Sequence, residues 1–572
     1  MRPMIRTAFI LAAGVLTATN MFAQGTEPGG EYVIQGIFSP TIADAQKIDM
    51  RPQPIDTILP EVTMRYEMLP AMAKVDPHVD SIAPAKLSVL QTQNRLYRGY
   101  VKAGFGLYTT PLGELYVDQT RSRENAWGFH AKHFSSNGGL DDVGPSDYSF
   151  NSIDGFYKQF LPSHEASGRL MYDRRRVSYY GFASSDSLLD VLDATDAPDD
   201  YRKQFYNDIG FAARIRSLYK DSTKIAHDVA LEVHSFSNLT GSRETNMRIN
   251  VDLAMEDGSE TYAAGVLIDN DAYRGVLGGG LEDSRQNGTL IGLTPNASTR
   301  GDKYFVKVGA GIFIDAWAKT TFHFFPQVYA SYSLFGDILI PYVGIDGNRQ
   351  RNSFRSLARE NPWLTGAPLL ANSSKMYDVY GGIRGSFSSD LGFDVRVSSS
   401  RIKDKVLFVS IANAPFGDRM APVYDRVDIL DLSGELHYHM REALNVNARI
   451  DVNTYAMKDQ PEAWNLPPYQ LAFGATYDLR GKLILKGEAQ FLGRRKARGD
   501  ELVTTELPNG TGQFATVELD GYLDLYFGAE YHYTKRLSVF VDFSNLSASK
   551  YERWYQYPVQ RSLILGGATY AF

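Results

Sequence analysis

The stretch that decides the fold is residues 444–453, which read Leu-Asn-Val-Asn-Ala-Arg-Ile-Asp-Val-Asn. Every second residue is apolar and every residue between is polar, so an extended strand would have one apolar face and one polar face. The same alternation recurs at residues 97–107, 393–397 and 537–544. A period of two that persists along the chain predicts an all-β protein.

Connection lengths separate a soluble β-sandwich from a membrane barrel, because both show this alternation. Tight links such as residues 161–164 and 479–481 take turns with long polar links such as 350–375 and 494–514. Outer-membrane barrels have short turns at one end and long loops at the other. We therefore predict a transmembrane antiparallel outer-membrane β-barrel of 22 strands, with both chain ends on the side of the short turns. The predicted strands are residues 97–108, 112–120, 124–136, 149–160, 165–182, 203–217, 225–237, 242–256, 259–270, 286–296, 302–314, 318–333, 337–349, 376–388, 391–403, 424–438, 443–455, 466–479, 482–493, 515–531, 536–546 and 561–572.

Composition narrows the protein class further. The 572 residues include no cysteine, which excludes disulfide scaffolds, thiol nucleophiles and diacylglyceryl anchors. A net charge of −7 offers no basic field for nucleic acid, so we predict no nucleic-acid partner. Mean hydropathy is −0.27 despite many aromatic residues. A barrel wall explains this, since only every second residue faces lipid.

The first residues resemble a secretory signal. Arg2 and Arg6 precede an apolar run at residues 8–18, and Ala23 offers a cleavage site. The alternative, a membrane anchor, is disfavoured because the run is too short to span a bilayer. We predict a signal peptide at residues 1–23.

Residues 24–95 differ from the rest of the chain in their high proline content and in lacking the period-two alternation. Eight prolines, which disfavour both helix and central strand, punctuate this stretch: Pro28, Pro40, Pro52, Pro54, Pro60, Pro70, Pro77 and Pro84. We predict a short extended arm at 24–95 and a barrel at 96–572. The arm could line the lumen or bind a periplasmic partner as an extended strand; the alternative is a disordered linker.

Aromatic residues mark the strand ends and the end of the chain. Tyrosines collect where the girdles of a barrel would lie, namely at Tyr97, Tyr100, Tyr108, Tyr179, Tyr180, Tyr377, Tyr477, Tyr531 and Tyr533. Tyr570 and Phe572 share one face of the last strand. This ending resembles the terminal signal by which barrel-insertion machinery recognises outer-membrane barrels.

No pattern of catalytic residues is evident. The ten histidines form no plausible ligand set, and no Gly-x-Ser-x-Gly motif is present. Separate barrel strands could still assemble an enzymatic site without a linear motif, but nothing in the sequence favours one. We predict a non-enzyme with no catalytic residues, no cofactor and no metal.

Two basic clusters lie near or beyond the predicted outer rim. They are Arg174, Arg175 and Arg176, and Arg494, Arg495 and Lys496. Arginine binds phosphate bidentately, so these residues are candidate contacts for lipopolysaccharide phosphates. Ordinary loop solubility explains them equally well.

The closing segment, with Asn545-Leu546, Lys550-Tyr551, Tyr557-Pro558, Arg561 and terminal Phe572, resembles that of TonB-dependent outer-membrane receptors. Residues 464–468, Trp-Asn-Leu-Pro-Pro, are similar to another segment of that family. The resemblance implies a 22-stranded barrel closed by an N-terminal plug, a TonB box, and uptake of a siderophore, cobalamin or glycan. Residues 24–95 depart from the pattern, because they are too short and Pro-rich for a complete plug.

The resemblance leads to two hypotheses about function. In the first, the protein lies in the outer membrane of a Gram-negative bacterium and takes up a nutrient ligand, and Tyr32, Val33 and Ile34 contact TonB. These three residues could equally be a common short apolar run. In the second hypothesis, the barrel does not transport but acts as a structural or assembly partner of other envelope subunits. Both place it among outer-membrane lipid and lipopolysaccharide.

Overall fold

A computed structural model describes residues 96–572, apart from residues 120, 141–142, 182–202, 277–282, 318, 412–419, 441–442 and 505–512. The predicted signal peptide and arm therefore lie outside the described residues. So do Tyr32, Val33 and Ile34, and the roles expected for them stay predictions.

The described residues form strands almost throughout. The first nine strands are β1 (Gly99–Gly106), β2 (Thr110–Asp118), β3 (Asn125–Ser136), β4 (Tyr148–Phe160), β5 (His164–Ser178), β6 (Lys203–Ser217), β7 (Ala226–Asn238), β8 (Arg243–Asp257) and β9 (Glu260–Gly275). The next nine are β10 (Ser284–Arg300), β11 (Tyr304–Ala316), β12 (Thr320–Tyr332), β13 (Leu339–Gln350), β14 (Ser373–Ser388), β15 (Leu391–Ser410), β16 (Met420–Met440), β17 (Leu444–Met457) and β18 (Tyr469–Leu479). The last eight are β19 (Leu483–Leu492), β20 (Arg495–Thr504), β21 (Gln513–Leu519), β22 (Tyr522–His532), β23 (Leu537–Ser544), β24 (Glu552–Trp554), β25 (Tyr557–Pro558) and β26 (Leu563–Ala571).

One helix, α1 (Phe354–Glu360), lies between β13 and β14. Among the described residues, no helix is long and apolar enough to cross a membrane.

Twenty-two of the strands form a single closed antiparallel sheet. Strands β1 to β19, β22, β23 and β26 pair in chain order, and β26 returns to β1, where Gly567 lies opposite Gly104. Each of these wall strands overlaps one predicted strand, so the predicted fold class and strand count are confirmed. Closure leaves no unpaired sheet edge, which a membrane-spanning sheet requires.

Both ends of the wall meet at the side of the short turns, as predicted. The carbonyl oxygen of Phe572 accepts hydrogen bonds from the amides of Arg98 and Gly99, at 2.8 and 3.0 Å. We call this side the turn end and the opposite side the loop end. The loop end carries the long connection from β13 to β14 and the two small hairpins β20–β21 and β24–β25.

The outer surface of the wall is apolar and the inner surface is polar. In β17, Ile450 and Val452 are 48% and 40% exposed, whereas Asp451 between them is 4% exposed. Exposed aliphatic side chains on every second position are the lipid-facing band of a barrel, and the intervening polar residues face the lumen. The wall is therefore membrane-spanning.

Four predicted segments differ from the structure. The polar link predicted at 494–514 contains β20, and the strand predicted at 515–531 is divided into β21 and β22. The link predicted at 350–375 contains α1. Strands β15 and β16 extend into the link predicted at 404–423. These segments fold because they pack against other loop-end segments, which local alternation does not encode.

Candidate functional site at the loop end

The main structural feature of the loop end is residues 351–372, which we call the cap. The cap connects β13 to β14 and begins with α1. Ser353 caps this helix: its hydroxyl accepts from the Ser356 amide at 3.2 Å, and the Ser356 hydroxyl accepts from the Ser353 amide at 2.9 Å. Such a capping box stabilises a short helix that would not form alone.

One face of the cap is buried in an aromatic cluster. Phe354 is fully buried, and its ring packs against Tyr206, Phe236 and Tyr273, with centroid distances of 5.1 to 6.3 Å. These three rings belong to the inner faces of β6, β7 and β9. Burial of several large side chains contributes roughly 1.5–3 kcal/mol each. The cap is therefore seated on the inner wall.

The middle of the cap contacts the closing segment of the chain. The Trp363 ring stacks on Tyr557 with centroids 4.1 Å apart, and Tyr180 meets both rings edge-on. The Tyr180 hydroxyl donates to the Pro558 carbonyl at 3.0 Å. Burial raises the pKa of Tyr180, so this hydroxyl stays a neutral donor. The cap, β24–β25 and the end of β5 are thus joined in one cluster.

Charged groups also attach the cap to β6 and β7. The carboxylate of Asp208, on the inner face of β6, accepts from Arg355 at 2.5 Å and from Arg359 at 2.9 Å. His234 on β7 contacts the same carboxylate at 3.0 Å. Asp208 is 3% exposed, and it therefore lies in a site where charge interactions are stronger than in water.

A second group of acidic residues lines the inner face of β8 and β9. Arg351 of the cap lies 3.0 Å from the carboxylate of Asp269 and 3.9 Å from that of Asp271. The buried carboxylate of Glu244 accepts from the backbone amide of Arg355 at 3.2 Å. Several acidic wall residues thus share the positive charges of one segment.

Backbone hydrogen bonds attach the cap to the other side of the barrel. Met420, the first residue of β16, donates to the Trp363 carbonyl at 2.9 Å and accepts from the Thr365 amide at 2.8 Å. Leu364 and Met420 form a parallel bridge. The cap therefore extends from β5–β9 on one side of the lumen to β16 on the other.

The arginine triplet predicted on β5 is divided between the two faces of the wall. Arg174 and Arg176 share the outward face with Leu170, whereas Arg175 points inward and donates to the Arg359 carbonyl at 3.3 Å. Arg174 lies over the Phe205 ring at 4.8 Å, and Arg176 pairs with Asp147 at 2.5 Å. Alternation along the strand thus makes Arg175 a cap contact. The lipopolysaccharide contacts stay a prediction.

The second basic cluster lies at the start of β20. Arg495 is buried and donates to the carbonyls of Arg553 and Glu552 at 2.7 and 2.6 Å. Lys496 pairs with Glu462 at 2.7 Å, whereas the Arg494 side chain is 65% exposed. Arg495 thus connects the two hairpins, and the lipopolysaccharide role of this cluster also stays a prediction.

The terminal residues close the barrel. Tyr570 and Phe572 lie on the outward face and are 42% and 50% exposed, with stacked rings 6.4 Å apart. Their exposure is compatible with the predicted recognition by insertion machinery, which stays a prediction.

The girdle prediction is wrong for Tyr179 and Tyr180. Both are buried in the cap cluster, whereas Tyr531 and Tyr533 are exposed at the turn end. Tyrosine at a strand end suits a membrane interface and a packed loop equally well, so its position in the sequence cannot distinguish the two environments.

Sequence reasoning missed the cap. Two signals could have indicated it. Arg351, Arg355 and Arg359 recur every four residues, which places them on one face of a helix. Trp363 stands in a link predicted to be polar, and a large aromatic residue there usually packs against other side chains. No signal in the sequence pairs these residues with Asp208 or Asp269.

Metal ligation finds no support at this site. Within the part of the chain that the structure describes, no group of three or more His, Asp or Glu side chains is placed to hold a metal ion.

No family model and no curated protein matches the sequence. The structure does match solved structures. The siderophore receptor PirA from Acinetobacter baumannii is 11% identical, with a TM-score of 0.61 over 84% of this chain and 81% of that chain. The barrel has the fold of TonB-dependent outer-membrane receptors.

Two further structures share this receptor fold. The FrpB iron transporter from Neisseria meningitidis is 9% identical, with a TM-score of 0.63 over 84% of this chain and 82% of that chain. The ferripyoverdine receptor of the outer membrane of Pseudomonas aeruginosa is 13% identical, with a TM-score of 0.60 over 84% and 72%. The predicted family resemblance and outer-membrane location are thereby confirmed at the level of fold.

Proposed function

We propose that this receptor-like barrel takes up a nutrient ligand across the outer membrane and that the cap is its gate at the loop end. The observation that carries the proposal is the attachment of the cap. It lies across the lumen between β5–β9 and β16, on the path of a ligand that enters from the loop end. The solved structures that share the fold include a siderophore receptor and an iron transporter.

The chemistry of the attachment suits a gate. The cap is not a strand of the closed sheet, so moving it breaks no wall pairing. Its arginines pair with wall carboxylates, and the desolvation cost of such pairs offsets much of their attraction. Water or ligand groups can therefore replace these pairs at modest net cost. An attachment made only of apolar contacts would contain no polar groups that water or a ligand could pair with in place of the cap.

The remaining parts of the proposal concern segments at the two ends of the chain. Residues 1–23 would direct export, and residues 24–95 would form the arm, with Tyr32, Val33 and Ile34 as the TonB contact that supplies energy. Tyr570 and Phe572 would serve insertion. The protein would perform no enzymatic reaction.

Gating can be tested by locking the cap to β16. The chain has no cysteine, so the double substitution Leu364→Cys with Met420→Cys introduces the only thiols. Bridge partners lie within the roughly 4.4–6.8 Å between Cα atoms that a disulfide spans. Cells carrying the oxidised variant should lose growth on limiting concentrations of the transported nutrient, screened among siderophore-bound iron, cobalamin and glycans. Reduction should restore growth.

The single variants Leu364→Cys and Met420→Cys are the matched controls, because they make the same core changes without a crosslink. Wild-type growth of the oxidised double variant, with the disulfide verified, would refute gating by the cap. If deletion of the whole protein changes growth on no nutrient while stoichiometric envelope subunits copurify with the wild-type barrel, uptake itself is refuted. The non-transporting assembly partner is then the function.

A further inference from the structure

The outward face of the wall carries three arginines side by side at the loop end. Arg243 on β8 lies directly opposite Arg274 on β9, which lies directly opposite Arg285 on β10. All three side chains are exposed and alternate with inward residues such as Glu244 and Tyr273. We call these three residues the arginine row.

The row lies above the lipid-facing band. Ile249, Ile268 and Ile291 form an apolar row on the same outward face. Arg274 is six positions from Ile268, which corresponds to about 20 Å along a strand and about 15 Å along the axis of a tilted barrel. Half the thickness of the hydrocarbon core is also about 15 Å, and the charged headgroups lie beyond it. The row is therefore placed at headgroup level.

Within the described residues, one carboxylate is paired with the row. Arg274 donates through Nε to Asp283 at 2.7 Å. In the described part of the chain, neither Arg243 nor Arg285 has an ion-pair or hydrogen-bond partner for its side chain. Like charges directly opposite each other on neighbouring strands destabilise a sheet. Three adjacent arginines with one carboxylate thus leave a site that favours anions.

The surface at the arginine row is concave, so it can hold an anionic group. A crevice of about 440 Å³ is lined by residues of these three strands, including the three arginines together with Thr245 and Asn287. Guanidinium groups bind phosphate bidentately, and the two polar side chains add hydrogen-bonding groups.

We propose that the arginine row binds the phosphate groups of a phosphorylated glycolipid in the outer leaflet around the barrel. The site is distinct from Arg174–Arg176 and Arg494–Lys496, and it does not depend on uptake. Acyl chains of the lipid would lie along the apolar row below, while its phosphates neutralise Arg243 and Arg285. A lipid is favoured over a soluble anion because the site stands directly above the lipid-facing band.

The test uses the full-length barrel in detergent with three probes: bisphosphorylated lipid A, monophosphorylated lipid A and inorganic phosphate. Bisphosphorylated lipid A should bind most tightly, and the monophosphorylated form roughly tenfold more weakly, as expected for one lost charge-assisted contact. Inorganic phosphate at the same concentration should not displace the lipid. Displacement by equimolar phosphate would overturn the assignment to a lipid.

Variants assign the binding to the row. Arg243→Gln with Arg285→Gln should weaken lipid binding roughly a hundredfold, and Asp283→Asn should strengthen it, because it removes the carboxylate that pairs with Arg274. Arg123→Gln with Arg480→Gln is the matched control, since it removes the same charge at exposed turn-end positions. Unchanged binding by the first variant, or an equal loss in the control, would refute the proposal.

Discussion

At the scale of single residues, Asp208 attaches two arginines of the cap to the inner wall. Its carboxylate contacts Arg355, Arg359 and His234 from a nearly fully buried position. Replacement by asparagine keeps the size of the side chain but removes the charge. Arg355 then loses the counter-charge of Asp208 while it remains next to a buried amide, which is unfavourable, and Arg359 is left with Asp173 at 3.6 Å.

We expect Asp208→Asn to destabilise the seated cap by about 2 kcal/mol, below the usual cost for a buried pair because Arg359 is half exposed. Trypsin should then cleave at the cap arginines roughly 30-fold faster in the folded barrel. Asp228→Asn is the control, because it breaks the ion pair with Arg214 on the same pair of strands without touching the cap. Equal cleavage rates in wild type and Asp208→Asn would exclude this anchoring role.

The residue scale is also where sequence reasoning is weakest. The contact of Arg355 with Asp208 joins residues 147 positions apart, and no local pattern reports such a pairing. Tyr179 and Tyr180 are tyrosines at a strand end, as in a membrane girdle, but both are buried in the cap cluster. Arg175 has the same neighbours in sequence as Arg174 and Arg176, yet it faces the lumen. Alternation separates Arg175 from Arg174 and Arg176, but three identical residues do not show by themselves which of them faces the lumen.

At the scale of elements, the closing seam between β1 and β26 depends on close backbone contact. A Cβ atom on Gly567 would lie 2.1 Å from the Ala103 carbonyl oxygen and 2.6 Å from the Cα of Gly104. Both obstacles are backbone atoms, so neither can move without separating the strands. The neighbouring Gly566 faces outward, and its Cβ would approach nothing closer than 3.7 Å.

We expect Gly567→Ala to destabilise the barrel by about 3 kcal/mol or more, because overpacking here displaces paired backbone. The measurement is heat-modifiable gel mobility and the yield of folded protein in the outer membrane. Gly566→Ala, the same substitution one residue away, should behave like wild type. If the two variants fold equally well, the seam is not as tight as the structure indicates.

The wall strands were predictable from sequence because lipid on one side and a wet lumen on the other impose a strict period of two. The loop-end elements α1, β20 and β24–β25 were not. Their conformations depend on contacts between distant segments, such as the stacking of Trp363 on Tyr557. The predicted resemblance in the closing segment did contain Tyr557, but not its partner in the cap.

At the scale of the whole molecule, the protein is a membrane-spanning barrel with a cap seated in its loop end. In barrels of this type the long loops face the cell exterior and the short turns face the periplasm. The cap therefore lies where an external ligand would arrive. This orientation and the closure by the cap together form the central claim.

Both parts of the claim can be tested by labelling single introduced cysteines in intact cells with a membrane-impermeant maleimide, since the chain has none of its own. Ala358 is 1% exposed in the cap, the Arg494 side chain is 65% exposed at the loop end, and Phe335 is 77% exposed at the turn end. We expect rapid labelling of Arg494→Cys, protection of Ala358→Cys, and labelling of Phe335→Cys only after the envelope is broken. Labelling of Ala358→Cys as fast as Arg494→Cys, or of Phe335→Cys in intact cells, would contradict the capped and oriented barrel.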